Sequence, residues 1–252
     1  MIVRKTPEQV DRMAASGQVL VRCLRMLAGK ARAGVTTEEL DSAAERFIRS
    51  QDAVPAFKGY RGFPGSICAS PNSMVVHGIP GPYELQRGDV LSIDVGVIKD
   101  GWVSDAAITV PIGPVSEEAS KLLDVTKASL FAAVEEMRPG NHLGDVSAAV
   151  QRSVEGEGLS IIRTLVGHGI GREMHEEPQV PNYGEPGKGP LLEEGTVLAI
   201  EPMVNAGGPL VRMGDDGWAV YSEDGSLAAH FEFTVAVTAD GPRVLTPWHE
   251  EE

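Results

Sequence analysis

Apolar positions are laid out twice in the same order along this chain: helix-length stretches come first, then strand-length runs that carry acids among apolar neighbours. Thr6 caps and Pro7 opens a helix predicted to reach about Ala28, since proline is tolerated in a first turn. Gly34 stops the connection that follows, and the TTEEL string carries the capping signal of a second helix running to about Ser50. Phe57 to Gly65, dense in glycine and aromatics, reads as a loop or irregular strand lining something. Residues 89–98 and 101–110 read as strands joined around Lys99, Asp100 and Gly101, a hairpin signal. Helices are predicted at 116–137 and 144–157, and strands near 161–166, 196–201, 210–213, 218–221 and 229–238. Helices early in each half and antiparallel strands late in each imply an α+β domain with helices packed on one sheet face.

The duplication is visible in the residues themselves. LQRGDVLSID ends at Asp94 and LEEGTVLAIE ends at Glu201, 107 residues later. A shift of 106 lays Leu24, Arg32, Gly34, Leu40, Ala43 and Arg46 over Leu130, Arg138, Gly140, Val146, Ala149 and Arg152. HGIP (His77 to Pro80) and HEEP (His175 to Pro178) precede those acids by 17 and 26 residues, the difference falling in a Gly- and Pro-rich insertion near Tyr183 to Pro190. A period this long is not that of a solenoid. It suggests an old duplication folded about a pseudo-twofold axis, with halves of roughly 7–110 and 113–240 inside one catalytic domain spanning 1–252.

Composition narrows the class. At 42% apolar and 23% charged, 252 residues can bury a core without staples. No apolar run approaches a membrane span and the first residues lack a signal-peptide core. Two cysteines, Cys23 and Cys68, make a disulfide framework an unneeded hypothesis and a reducing cytoplasm the default. A net charge of −14 argues against a general nucleic-acid or anionic-membrane binder. The early basic residues, Arg4, Lys5, Arg12, Arg22, Arg25, Lys30 and Arg32, read as ordinary helix-surface charge, and the EEE tail as solvated surface.

Four acids stand out because apolar residues flank them: Asp94 in LSIDVGVI, Asp105 in WVSDAAI, Glu201 in VLAIEPM and Glu232 in HFEFTVAV. With Lys99 and Asp100 at the turn, Asp94 and Asp105 oppose each other directly; with Asp100 and Gly101 there, they are diagonal. Either register puts both on one face. Like charges half-buried together repel, and unpaired burial is costly, so cations resolve the conflict. GHGIG sets His168 between glycines that permit close backbone approach. Four carboxylates and an imidazole form a mostly oxygen site suited to two divalent ions such as Mn, Fe, Co or Zn, and a pair of ions can share and activate one water.

The strings KTPEQVDRM, VVHGIP, GDVLSIDVGVIKDGW, VGHGIGREMHEEP, AIEPMV and FEFTVAVT resemble type I methionine aminopeptidases of the pita-bread fold, over essentially the whole chain. That resemblance implies removal of the initiator methionine from nascent chains with a small second residue. It implies Asp94, Asp105, His168, Glu201 and Glu232 as ligands of two divalent metals, Asp105 and Glu232 bridging. It further implies that Glu201 handles the proton of the attacking water, and that His77 and His175 contact the scissile amide and the tetrahedral intermediate. Tyr60, Phe63, Cys68 and Trp218 match positions lining the methionine pocket. Met174 stands where the family usually has an aromatic residue, and Phe233 where bacterial members often have His, which puts pocket width and tuning in question. The family suggests a cytoplasmic monomer acting on nascent polypeptide N-termini, with ribosome contact plausible. X-Pro aminopeptidases and prolidases share the ligand set but usually carry an extra N-terminal domain; here the first helix begins near residue 7 and no finger extension precedes it, which fits the minimal form.

Overall fold

The computed structural model describes residues 2–250; Glu251 and Glu252 of the acidic tail lie outside the described residues. The first half runs through helices α1 (Pro7–Lys30) and α2 (Thr37–Ser50), then strands β1 (Val54–Pro55), β2 (Cys68–Pro71), β3 (Met74–Val76), β4 (Val90–Lys99) and β5 (Trp102–Pro111). The second runs through α3 (Glu117–Glu135) and α4 (Leu143–Glu155), then β6 (Ser160–Ile161), β7 (Val166–Gly169), β8 (Glu176–Pro181), β9 (Val197–Ile200) and β10 (Met203–Asn205). It closes with β11 (Val211–Met213), β12 (Val220–Ser222), β13 (Ala228–His230), β14 (Phe233–Thr238) and β15 (Gly241–Val244).

The helix starts are set by local chemistry. Thr6 and Gln9 form a reciprocal capping box with Pro7 in the first turn, and Thr36 and Glu39 do the same for α2, so each satisfies two donors that the first helical turn leaves open. Ser116 caps α3 by accepting from the Ala119 N–H at 3.1 Å.

In one sheet β4 lies between β2 and β5, with β1 at its far end; in a five-stranded sheet the order is β15-β14-β9-β7-β8, and β13-β10-β6 and β11-β12-β3 form two smaller sheets. The acid-bearing strand of each half is thus flanked on both sides, β4 by β2 and β5, and β9 by β7 and β14. Leu20, Leu24 and Leu27 of α1, Leu40 and Ile48 of α2, and Leu122 and Leu130 of α3 join Leu91, Ile93, Leu198, Ile200 and Val235 in one fully buried core. Side chains stitch β5 of the first half to β14 and β13 of the second. Thr234 Oγ1 accepts from the Asp105 N–H at 3.1 Å and donates to the Asp105 carbonyl at 2.7 Å, while Thr109 Oγ1 makes the same reciprocal pair with His230.

The strands differ from the sequence expectation in number, since β1, β2, β3, β8, β10 and β15 lie outside the predicted ones, and in two places by division. Residues 229–238 do not form one strand: β13 pairs with β10 and β14 with β9, and the chain breaks between them at Phe231 and Glu232. The span 161–166 likewise divides, its end joining β7 rather than β6. Of the early basic residues, Arg4 and Arg12 make exposed ion pairs with Glu193 and Glu8, whereas Lys5 departs from the expected surface charge, being buried against Glu176. Among the described residues no helix is long and apolar enough to cross a membrane.

Candidate metal centre

The β4–β5 hairpin turns at Asp100 (φ 51°) and Gly101 (φ 73°), both left-handed, as a two-residue turn of this kind demands. Lys99 then pairs with Trp102, Gly96 with Asp105, and Asp94 with Ala107. Of the two registers the sequence allows, the diagonal one is realised, and both carboxylates share a face. Glu201 follows β9 directly, and Glu232 sits in the break before β14, its N–H donating to the Ala107 carbonyl at 2.9 Å. That break is what aims Glu232 at the hairpin acids.

His168 lies on β7, paired with Ala199 two residues before Glu201. Its glycine neighbours are required by crowding. A Cβ on Gly167 would run into the Ala199 carbonyl oxygen and come within 3.2 Å of Glu201 Cγ, and one on Gly169 would meet the Glu177 carbonyl oxygen.

Asp105, His168 and Glu232 each bring a ligand atom within 4.8 Å of the others. His168 Nε2 stands 3.8 Å from Asp105 Oδ2 and 3.6 Å from Glu201 Oε1. Asp94 Oδ1, Asp105 Oδ1 and Glu232 Oε1 are buried without hydrogen-bond partners. Burial pushes the Asp94 carboxyl up to about 7, Glu201 adding to it while His230 opposes. Burial also raises Glu201 to about 7, against the pull of His168. Asp105 and Glu232 rise well above the ordinary carboxylate range, from burial first and then from the neighbouring acids. Orphaned carboxylate oxygens clustered in a place that resists four negative charges are what a divalent cation satisfies, so the residues fit such an ion.

All five expected ligands line one cleft, together with His77, His175, Tyr60, Phe63, Cys68, Met174 and Trp218. Tyr60 stacks on His175 and its hydroxyl lies 2.9 Å from His175 Nδ1. Burial first, and then the neighbouring His168 and Arg61, hold the His175 imidazole down to about 4. His77 occupies a left-handed backbone position at φ 60°, uncommon for a residue with a side chain. Trp218 meets the edge of Phe63 at 5.1 Å. Asp41 on α2 accepts the Ser66 and Ile67 N–H groups and so fixes the approach to Cys68, whose thiol burial and the nearby acids keep protonated.

Phe233, expected to bear on pocket tuning, points elsewhere. It is fully buried in the main core, stacked on Trp248 at 4.7 Å and edge-on to Phe131 at 5.6 Å. Met174 does line the cleft. Phe57 and Arg61, from the stretch read as lining something, are among the walls; sequence reasoning missed Leu165 and Met203 there, and His230, whose Nε2 lies 3.6 Å from Glu201 Oε2.

The model of metallopeptidase family M24 matches residues 11–239. A methionine aminopeptidase of Clostridium perfringens is 50% identical over 98% of this chain and 99% of its own length, and methionine aminopeptidase 1 of Bacillus subtilis is 48% identical over 98% and 99%. The crystal structure of methionine aminopeptidase from Rickettsia prowazekii superposes with a TM-score of 0.96 at 40% identity, covering 98% of this chain and all of that one. Prolidase from Pyrococcus furiosus shares the fold at a TM-score of 0.79 and 22% identity, with 66% of its length covered.

Proposed function

This chain belongs to metallopeptidase family M24 and is a metallo-aminopeptidase of the pita-bread fold; we propose that it removes the N-terminal methionine from nascent polypeptides whose second residue is small. The observation that carries the reading is one cleft lined at once by five metal-ligating side chains and by an apolar pocket of Tyr60, Phe63, Cys68, Met174 and Trp218. Similar three-strand arrangements around the acid-bearing strand of each half support one catalytic domain built by duplication, each half contributing ligands.

Asp94, Asp105, His168, Glu201 and Glu232 would hold two divalent cations, from among Co, Mn, Fe and Zn. Such a pair supplies water activation and polarisation of the scissile carbonyl. Glu201, beside His168 and at the open edge of the cluster, takes the proton of the attacking water. With the Tyr60 hydroxyl, 2.9 Å away, donating to Nδ1, His175 would carry its proton on Nε2, as a donor to charge developing on the carbonyl oxygen. His77 contacts the amide from the other wall. An unbranched thioether suits the pocket because sulfur packs well on aromatic rings and on the Met174 thioether. Exclusion by the walls near the ligands limits the second residue to small side chains. The enzyme acts as a cytoplasmic monomer on emerging chains.

Chelation followed by single-metal restoration, with hydrolysis of Met-Ala, Met-Leu and Ala-Pro peptides as readout, tests this. Activity should vanish with the metal, return with two ions per chain, and favour Met-Ala. Full activity after chelation, or preference for Ala-Pro, would overturn the reading.

A further inference from the structure

Glu201 stands between two imidazoles. His168 Nε2 lies 3.6 Å from its Oε1, and His230 Nε2 lies 3.6 Å from its Oε2. Cation binding accounts for His168. It does not account for His230, which is 2% exposed and whose two ring nitrogens both lack a hydrogen-bond partner. A buried polar group left unsatisfied is costly, so an imidazole in this place calls for a partner in the working state.

The histidine is the fixed member of the pair. Its backbone is gripped by Thr109 at 2.8 and 2.9 Å, and β13 pairs it with Met203. The carboxylate is the adjustable one, at the end of a three-torsion side chain. A displacement of roughly 0.7 Å brings the gap to the ordinary N–H···O length. The ligand atoms gathered within 4.8 Å of one another come from Asp105, His168 and Glu232. His230 faces the opposite oxygen of Glu201 from the one facing His168.

We propose that His230 is a positioning residue for the reaction: its Nε2–H donates to Glu201 Oε2 and keeps Oε1 turned toward His168, the cations and the attacking water. A carboxylate free to rotate would divide its time between the cluster and the cleft wall, lowering both cation affinity and the fraction of molecules with the proton acceptor in place. Groups that orient metal ligands through a hydrogen bond act in this way. The inference rests on the reading of Glu201 as ligand and proton acceptor.

Two amides that differ by one methylene test it. The side-chain nitrogen of Gln overlays imidazole Nε2, whereas that of Asn overlays Nδ1 and falls short of Glu201. In His230→Gln, kcat on Met-Ala and calorimetric Mn affinity should both stay within about 3-fold of the parent, whereas His230→Asn should lose about 10–100-fold in kcat and about 10-fold in Mn affinity, at unchanged stoichiometry and similar KM. If His230→Asn fails to fold, His230→Ala takes its place. The proposal is overturned if the short variant equals the parent, or if His230→Gln is as impaired as the short variant, since the imidazole itself would then be required. Absence of Met-Ala cleavage by the parent would defeat the aminopeptidase reading instead, and the Mn affinities would still decide the role of His230.

Discussion

At the scale of single residues, the acids of the centre carry an electrostatic conflict with a measurable pH signature. Glu201 and Asp94 sit near 7 in the folded chain and near 4 when unfolded, so between these values the native state holds more protons than the unfolded state. Stability of the metal-free protein therefore falls as pH rises from about 4 to about 7, by on the order of 3–4 kcal/mol per group. Cation binding displaces those protons and gains strength with pH, so added Mn should flatten or reverse the slope. Denaturant unfolding of chelated protein across this range, beside Glu201→Gln, checks the argument. The variant should lose most of one group's dependence; an unchanged slope would show that Glu201 is not among the groups in conflict.

At the scale of elements, the loop that carries Met174 and His175 is pinned from two sides. Lys5 Nζ reaches Glu176 Oε2 at 2.6 Å with side chains only 3% and 13% exposed, and Glu176 Oε1 accepts the Arg172 N–H at 2.9 Å. Arg172 then lies over the Trp102 ring at 3.9 Å and donates to the Gly101 carbonyl at 2.9 Å, tying the loop to the hairpin tip. Lys5→Met leaves a buried carboxylate unpaired, a loss of about 3–5 kcal/mol. We expect kcat/KM to fall at least tenfold in this variant while metal content per chain stays at the parent level. Replacing Glu176 by Leu in the same chain should recover much of the stability and little of the activity. Unaltered kcat/KM in Lys5→Met would mean that the loop holds His175 without the clamp. None of this was legible in the sequence, because a lysine 171 residues from its partner leaves no local trace. What was legible was local. The capping strings fixed both helix starts, and the Asp100-Gly101 turn confined the hairpin acids to one face in either register. The run HFEFTVAV, continuous in apolar character, hid the break at Glu232, since the strand assignment there is decided by which neighbour, Met203–Asn205 or Val197–Ile200, each side finds. His230 was hidden by the same run, where a single histidine among apolar residues reads as core.

At the scale of the whole molecule, the five proposed ligands come from both halves and line one cleft, Asp94 and Asp105 from the first, His168, Glu201 and Glu232 from the second. An ion bound there holds only when both sheets are in place, so it stabilises the native state and not the unfolded one. At one hundred times its dissociation constant, each ion then contributes about 2.7 kcal/mol. For a chain of this length that is a rise in Tm of roughly 5–10 °C. The net charge of −14 complicates the measurement, because any divalent cation relieves self-repulsion across so acidic a surface. The two effects separate with salt. At 0.5 M NaCl the Debye length shrinks to roughly 4 Å, which removes the diffuse contribution and leaves the coordinated one. Calorimetric scans with and without Mn at that salt should keep the full rise in the parent and lose most of it in Asp105→Asn. An equal rise in both would place the stabilising ions on the acidic exterior rather than between the two sheets.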